Sequence, residues 1–167
     1  MGHLAGRVVI VTGAARGLGR AFAERLVAEG CPVVVTDRDD SIFETAGAIG
    51  ATGHLGDVAD AAHVRSVVDA TVAEHGTIDV LISNAGEVMA SGPRDHWDAA
   101  SSDFDRLFGS NTKGAFLFGR AVAPIMIANH TGSMPSLAAT GPRSGSTMKA
   151  ISKKSMKKPS TNTIRFT

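Results

Sequence analysis

Three glycines stand in a pattern that suits the binding of a phosphate group. Gly13, Gly17 and Gly19 follow shortly after four β-branched residues, 8–11, which predict a strand buried on both faces. Apolar residues then continue with helical spacing from Leu18, so the glycines lie in a turn between a strand and a helix. Such a turn directs backbone N–H groups and the positive end of a helix toward a ligand. A glycine-rich run alone is as typical of an ordinary tight turn, so other residues must decide.

An acidic residue supplies the second feature. Asp37 lies 24 residues after Gly13 and directly follows a second apolar run, 32–36. In a dinucleotide-binding fold, an acid at this place accepts hydrogen bonds from both hydroxyls of the adenosine ribose. A carboxylate there also repels a 2′-phosphate, so the sequence predicts NAD as the cofactor and favours NADP less. Arg16 and Arg38 argue the other way, since each can meet a phosphate, and a plain turn or capping acid stays the alternative for Asp37.

The elements that must position these residues alternate along the chain. Apolar runs predict strands at 8–11, 32–36, about 53–56 and 78–83, and amphipathic stretches predict helices at about 17–29, 40–49 and 60–75. Asp60 is the expected N-cap of the third helix. Regular alternation of strand and helix predicts right-handed βαβ units. The predicted fold is therefore α/β, with a doubly wound parallel sheet covered by helices on both faces.

Length, charge and composition narrow the class of protein. The 167 residues fit one ordinary domain, and a formal net charge of +1 gives no reason to expect nucleic acid as a partner. A single cysteine fits a reducing compartment, and no apolar stretch has the length of a membrane span or the pattern of a signal peptide. We therefore expect a cytoplasmic protein with no membrane partner. The six histidines never recur at metal-ligand spacing, so we expect no metal site.

Four motifs resemble those of the short-chain dehydrogenases/reductases. The run 12–19, TGAARGLG, looks like that family's TGxxxGxG turn, whose glycine spacing differs from the GxGxxG of other dinucleotide folds. Asp57 and Val58 stand where the family contacts the adenine ring. The run 83–86, SNAG, is similar to the NNAG motif, with serine in place of the first asparagine. Asn111 resembles the family's active-site asparagine on the long fourth helix.

The resemblance implies an NAD(P)-binding Rossmann fold over residues 1–153. The residues that it assigns to cofactor binding are Thr12, Gly13, Arg16, Gly17, Leu18, Gly19, Asp37, Arg38, Asp57, Val58, Asn84, Ala85, Gly86 and Lys153. The fourth helix is expected to run from about 102 to 129, with apolar residues on more than one side. We expect it to pack against the sheet and, in this family, against a second subunit. A homo-oligomer is thus expected when the rest of the family's subunit is present.

The catalytic segment departs from the family pattern. The family uses a serine to orient the substrate oxygen, a tyrosine to transfer a proton, and a lysine four residues later to bind the nicotinamide ribose and lower the tyrosine pKa. With Asn111, the residues in these places are Ser136, Lys149 and Lys153, so lysine replaces the tyrosine, and the chain contains no tyrosine at all. Repulsion between two ammonium groups at i and i+4 makes Lys149 an alternative proton donor. We expect instead that proton transfer is badly impaired.

The last part of the chain is unusual in two further ways. The expected fifth strand is reduced to 132–135 and ends in proline, which cannot donate to a central ladder, so this strand is expected to be compromised. Five of the six lysines fall within 149–167, and residues 154–167 are expected to form a basic, irregular tail. The C-terminal strands of the family's fold are expected to be missing.

The sequence thus predicts an NAD(P)-dependent oxidoreductase that transfers a hydride between nicotinamide and an alcohol or ketone substrate. The alternative is an NAD-binding pseudoenzyme or interaction module without turnover, because Lys149 replaces the catalytic tyrosine. A truncated product with no independent function is a third possibility.

Overall fold

The computed structural model describes residues 4–88 and 96–137. Its elements are β1 (Val9–Thr12), α1 (Gly17–Ala28), β2 (Val33–Asp37), α2 (Ile42–Ile49), β3 (Thr52–Leu55), α3 (Ala61–His75), β4 (Val80–Ile82), α4 (Trp97–Phe108), a π-helix (Gly109–Gly114) and α5 (Ala115–Ala128). The strands form one parallel sheet in the order β3-β2-β1-β4. Every predicted element from the first strand to the fourth is present, each within two residues of its expected bounds.

The central strand β1 is buried on both faces, as its β-branched sequence predicts. Val9 and Val11 pack with Ala23 of α1 in one hydrophobic cluster, whereas Ile10 packs with Phe118 of α5 in a second cluster on the other face. Side chains of a strand alternate between the two faces of a sheet, so one run of four apolar residues serves both clusters. The predicted doubly wound sheet with helices on both faces is confirmed.

Helix starts are predicted well where a capping residue marks them. The Asp60 carboxylate accepts a hydrogen bond of 2.8 Å from the Ala62 N–H, which confirms Asp60 as the N-cap of α3. Helix α3 ends at Gly76, whose left-handed φ of 75° is ordinary for glycine at this position.

The single helix expected over 102–129 is wrong in its start and in its continuity. The helical segment begins at Trp97, and a π-helix over Gly109–Gly114 separates α4 from α5. A Cβ on Gly114 would lie 2.5 Å from Val58 Cγ2, so glycine lets the π-helix pack directly on the segment that follows β3. The wider π-helical turn occurs where the chain must make this close contact, as π-bulges often do near functional sites.

Fewer apolar residues of this helical segment are buried than its sequence predicts. Phe118 and Val122 of α5 are fully buried against the sheet, but Phe104, Phe108 and Phe116 are 51%, 52% and 66% exposed. A helix on the outside of a sheet turns only one stripe toward it, so the apolar residues on its other sides stay exposed in the single chain.

The fifth strand is compromised, as its sequence predicts. Residues 133–136 lie parallel to β4, but only two isolated bridges form in the described part of the chain, Val80 with Ser133 and Ser83 with Ser136. Between these bridges, the Pro135 carbonyl accepts from the Ser83 N–H at 3.1 Å, while the proline nitrogen has no hydrogen to donate back. Proline therefore removes one rung of the ladder and prevents a regular strand.

Two other predictions concern the end of the chain. Lys149, Lys153 and the tail 154–167 lie outside the described residues, and the proposed domain boundary at 153 stays a prediction. Among the residues that the structure describes, no helix has both the length and the apolar composition needed to cross a lipid bilayer.

Candidate functional site

A cavity of about 250 Å³ opens at the carboxyl edge of the sheet. Its lining residues follow β1, β2, β3 and β4, and one comes from the π-helix: Gly13, Arg16, Asp37, Arg38, Gly56, Asp57, Val58, Asn84, Ala85, Gly86, Glu87 and Ser110. The carboxyl ends of parallel strands meet at the same edge of a sheet, and ligands of open α/β sheets bind there. The structure thus brings nine of the predicted cofactor-binding residues to one cavity.

Two glycines of the turn after β1 are required by close contacts. A Cβ on Gly19 would lie 2.2 Å from the Gly13 carbonyl oxygen and 2.5 Å from Asn84 Nδ2. Gly13 itself has a φ of 68°, and a Cβ there would lie 2.6 Å from the Ala85 Cα. No larger residue fits these positions without moving the backbone. The glycines therefore let α1 begin directly against the turn and against the segment that follows β4.

The first turn of α1 is free to bind an anion. This helix begins at Gly17, and within the described residues no side chain caps its N-terminus and no acid lies in its first turn. The first backbone N–H groups of a helix have no partner inside the helix, and the helix dipole makes that end positive. Gly13 and Arg16, which precede α1, line the cavity. The arrangement fits a phosphate group of a nucleotide.

Thr12 and Asn84 hold the ends of β1 and β4 together. The Asn84 side-chain amide donates to the carbonyl oxygens of Thr12 and Gly13, at 3.0 Å and 2.9 Å. The backbone N–H groups of Asn84 and Ala85 both donate to Thr12 Oγ1, at 3.1 Å and 3.0 Å. These contacts assign Thr12 a supporting place below the turn, whereas Asn84 also lines the cavity.

Asp37 lies at the end of β2 with part of its hydrogen-bonding capacity in use. One carboxylate oxygen accepts from the Ala15 N–H at 3.0 Å, and the other accepts from the Asp39 N–H at 3.1 Å. An ionised carboxylate has about four acceptor sites. Two backbone bonds therefore leave acceptors for further donors, such as the two hydroxyls of a ribose, and they fix the carboxylate relative to the glycine turn.

The two arginines beside the cavity are both in ion pairs. Arg16 Nη1 lies 3.1 Å from Asp39 Oδ2, and Arg38 pairs with Glu87. Hydrogen bonds from Ser41 hold the pKa of Asp39 below its ordinary value, so this carboxylate is ionised beside Arg16 at neutral pH. Glu87 is not among the residues predicted from the motifs, although its place directly after the SNAG run is a usable signal.

Asn111 uses its side chain to hold the segment after β4. Its Oδ1 accepts from the Glu87 N–H at 2.7 Å and from the Ser110 hydroxyl at 3.0 Å, and its Nδ2 donates to the Glu87 carbonyl at 2.9 Å. Ser136 lies beside Ser83, at the carboxyl end of β4, and is exposed. The structure thus places Asn111 and Ser136 near the same edge of the sheet, and Lys149 and Lys153 lie outside the described residues.

A histidine supports the segment that leads to Asp57. His63 Nε2 lies 2.8 Å from Thr36 Oγ1, and Gly56 packs so closely on the imidazole that a Cβ there would lie 2.3 Å from His63 Nδ1. Burial of the ring, with a smaller contribution from nearby His54, lowers the pKa of His63. The imidazole is therefore neutral at pH 7 and packs as part of the cavity's support. In the described ranges 4–88 and 96–137, no group of three His, Cys, Asp or Glu side chains could hold a metal ion.

The parallel sheet, the glycine turn and the acid at the end of β2 define a nucleotide-binding Rossmann fold. The family model for the short chain dehydrogenases matches residues 7–158. The chain therefore belongs to the short-chain dehydrogenase/reductase family of oxidoreductases, which confirms the resemblance seen in its motifs.

Two curated relatives illustrate the similarity. The chain is 39% identical over 133 residues to (+)-borneol dehydrogenase 1 of Salvia officinalis, covering 74% of this chain and 48% of the relative. It is 36% identical over 146 residues to 2-dehydro-3-deoxy-L-rhamnonate dehydrogenase (NAD(+)) of Sphingomonas sp. (strain SKA58), covering 86% of this chain and 58% of the relative. The chain thus spans about half the length of the curated relatives it matches.

Solved structures show the same similarity. A short-chain dehydrogenase/reductase from Burkholderia phymatum in complex with NAD is 32% identical with a TM-score of 0.73, covering 81% of this chain and 50% of that one. A metagenomic short-chain oxidoreductase in complex with NADP is also 32% identical with a TM-score of 0.73, covering 82% of this chain and 64% of that one. Both structures support a nicotinamide cofactor for this family, although one structure contains NAD and the other contains NADP.

Proposed function

We propose that this chain provides the cofactor-binding part of an NAD-dependent oxidoreductase that interconverts an alcohol and a ketone. The observation that carries the proposal is the uncapped first turn of α1, held against Gly13 by Gly19, beside a cavity that also contains Asp37. A dinucleotide needs both features, because its pyrophosphate is anionic and its ribose hydroxyls are hydrogen-bond donors.

Three groups of residues would hold the cofactor. The backbone N–H groups at the start of α1, from Gly17 to Gly19, would bind the pyrophosphate, and Asp37 would accept from the ribose hydroxyls. Asp57 and Val58 line the same cavity and would contact the adenine ring. When bound, the nicotinamide supplies or accepts the hydride. The Asp37 carboxylate at the end of β2, with both nearby arginines already paired, supports NAD over NADP.

The chain's own residues would position the substrate and handle its proton. Ser136 would orient the substrate oxygen, since its exposed hydroxyl lies on the segment beside the carboxyl end of β4. Asn111 would act as a positioning residue, because its side chain holds both the N–H and the carbonyl of Glu87 at the cavity. Lys153 would contact the nicotinamide ribose. Lys149 would occupy the position from which a proton is transferred to or from the substrate oxygen.

A pseudoenzyme that binds NAD without turnover is the second candidate. The observation that favours it is chemical: the chain contains no tyrosine, and lysine occupies position 149. A ketone that accepts a hydride must also gain a proton, and a group with a suitable pKa must supply it. Without that group, the site would keep its affinity for the cofactor and lose most of its activity.

Tyrosine at position 149 should restore part of the proton transfer. For Lys149→Tyr, we expect the initial rate of NADH formation with a panel of secondary alcohols to rise by at least about tenfold. The affinity for NAD⁺ should stay within about twofold, because the proton-transfer group adds little to ground-state binding. Lys149→Met is the matched control, since it removes the ammonium group without adding an acid.

The outcome separates the two candidates. An equal and measurable rate for the unmodified chain and Lys149→Tyr, lost in Lys149→Met, would contradict an impaired proton transfer and make Lys149 a working proton donor. Absence of turnover in both, with NAD⁺ still bound, would favour the pseudoenzyme.

The proposal extends to assembly and location. Phe104 and Phe108 stack with ring centroids 4.3 Å apart on an exposed side of α4, and Phe116 is exposed on α5. Such apolar side chains suit a second subunit, so we propose a homo-oligomer. A buried, unpaired Cys31 fits a reducing compartment, which supports a cytoplasmic protein.

A further inference from the structure

An ion pair joins two segments that lie on opposite sides of β1. Arg38 directly follows β2, Glu87 follows β4, and both strands flank β1 in the sheet. Arg38 Nη1 donates to Glu87 Oε1, and both residues line the cavity. The glutamate side chain is only 15% exposed, whereas the arginine is 58% exposed. The guanidinium of Arg38 is thus drawn toward the β4 side of the cavity.

Glu87 is held in place from several directions. Arg106 of α4 pairs through Nε with the second carboxylate oxygen of Glu87, and its Nη2 lies 2.7 Å from Asp103 Oδ1. Asn111 binds both the N–H and the carbonyl of Glu87. A carboxylate that is mostly buried and pairs with two guanidinium groups has far less freedom than a solvated surface acid. Its geometry is therefore imposed by three elements of the fold.

The positive charge of Arg38 decides whether the site can bind the 2′-phosphate that distinguishes NADP from NAD. It is adjacent to Asp37, the residue proposed to accept from the ribose hydroxyls. A 2′-phosphate at that ribose would carry its charge beside the Asp37 carboxylate, and would need a guanidinium group to offset the repulsion. Arg38 could bind a 2′-phosphate only by breaking its ion pair with Glu87. Arg16, the other arginine that lines the cavity, is paired with Asp39.

We propose that Glu87 is a specificity-determining residue, which holds Arg38 in an ion pair and so makes the site favour a dinucleotide with a free 2′-hydroxyl over one with a 2′-phosphate. The inference rests on the proposed function, since it concerns the same cofactor site. It assigns a part in cofactor choice to a residue after β4, on the far side of β1 from Asp37 at the end of β2. The acid supplies the repulsion, and Glu87 withholds the cation that would offset it.

The test is calorimetric titration of the full chain with NAD⁺ and with NADP⁺, before and after Glu87→Gln. Glutamine keeps the shape of the side chain and leaves the backbone bonds to Asn111 available. We expect the ratio of the two dissociation constants to shift by about tenfold toward NADP⁺, which is the size of one charge-assisted hydrogen bond. The shift should come from a gain in affinity for NADP⁺.

Two further variants make the assignment specific. Glu24→Gln is the matched control, because Glu24 forms an ion pair with Arg20 on the surface of α1 and does not line the cavity. It should leave the ratio unchanged. Adding Arg38→Gln to Glu87→Gln should cancel the gain in NADP⁺ affinity, since the released guanidinium is its source.

The outcomes separate this inference from the proposed function. Binding of neither nucleotide to the folded, unmodified chain would overturn both. Binding of both with the same ratio in Glu87→Gln would overturn this inference alone. If Glu87→Gln does not fold, Arg38→Gln alone decides. A guanidinium held by Glu87 adds nothing to NADP⁺ binding, so this variant should leave the ratio of the two dissociation constants within about twofold of that of the unmodified chain. A loss of NADP⁺ affinity of about tenfold in Arg38→Gln would overturn the inference.

Discussion

Alanine at Gly19 is expected to weaken NAD⁺ binding by at least about 100-fold. The new Cβ would lie 2.2 Å from the Gly13 carbonyl oxygen and 2.5 Å from Asn84 Nδ2, and the first of these atoms belongs to the backbone. Relief of the clash requires α1 to move away from the turn, which takes its first N–H groups out of position. Calorimetric titration of the variant with NAD⁺ measures the loss.

Gly47→Ala is the matched control for that variant. Gly47 lies in α2, is exposed, and has no heavy atom within 4 Å of an added Cβ. Alanine in a helix is ordinarily more favourable than glycine by up to about 1 kcal/mol, so this control should raise the melting temperature slightly and leave NAD⁺ binding unchanged. A Gly19→Ala protein that still binds NAD⁺ as tightly as the control would contradict the role given to the glycine turn.

Loss of the Asp79 carboxylate is expected to cost about 2–3 kcal/mol of the free energy of unfolding. Asp79 is 8% exposed and accepts two bonds of 3.0 Å, one from Arg7 and one from the N–H of Val8. The Val8 residue is itself buried, so Asp79→Ala leaves a buried donor without its partner. Urea denaturation followed by circular dichroism measures the change.

Variants of Arg7 and Asp79 distinguish the contributions of the two hydrogen bonds that Asp79 accepts. Arg7 is 47% exposed, and ion pairs with exposed arginines add little, so Arg7→Gln should cost no more than about 1 kcal/mol. Asp79→Asn, which can still accept from the Val8 N–H, should fall between the two. An equal cost for Arg7→Gln and Asp79→Ala would show that the ion pair dominates, against this expectation.

The arrangement of the strands could be predicted because each strand carries its own signal. Runs of Val and Ile mark β1 and β2 as buried on both faces, and the residues that end the strands then share one edge of the sheet. Gly13, Asp37 and Asn84 could be placed together from this rule alone. Their role in cofactor binding stays a prediction that the cavity's geometry supports.

The parts that could not be predicted depend on contacts between distant segments. The π-helix has no periodic signal, since it follows from the packing of Gly114 on Val58. The start of the fourth helix at Trp97 could not be predicted, because its N-cap is a histidine, His96, which is uncommon at that position. The ion pairs of Glu87 join three elements, so no local pattern reveals them.

Titration of the unmodified full chain with NAD⁺ is the decisive measurement. We expect saturable binding at one site per chain, lost in Gly19→Ala and retained in Gly47→Ala. That result would show that the glycine turn binds a dinucleotide in this chain, whatever the activity of its catalytic segment. Absence of binding to the folded protein at about 1 mM NAD⁺ would rule out a cofactor site at the glycine turn.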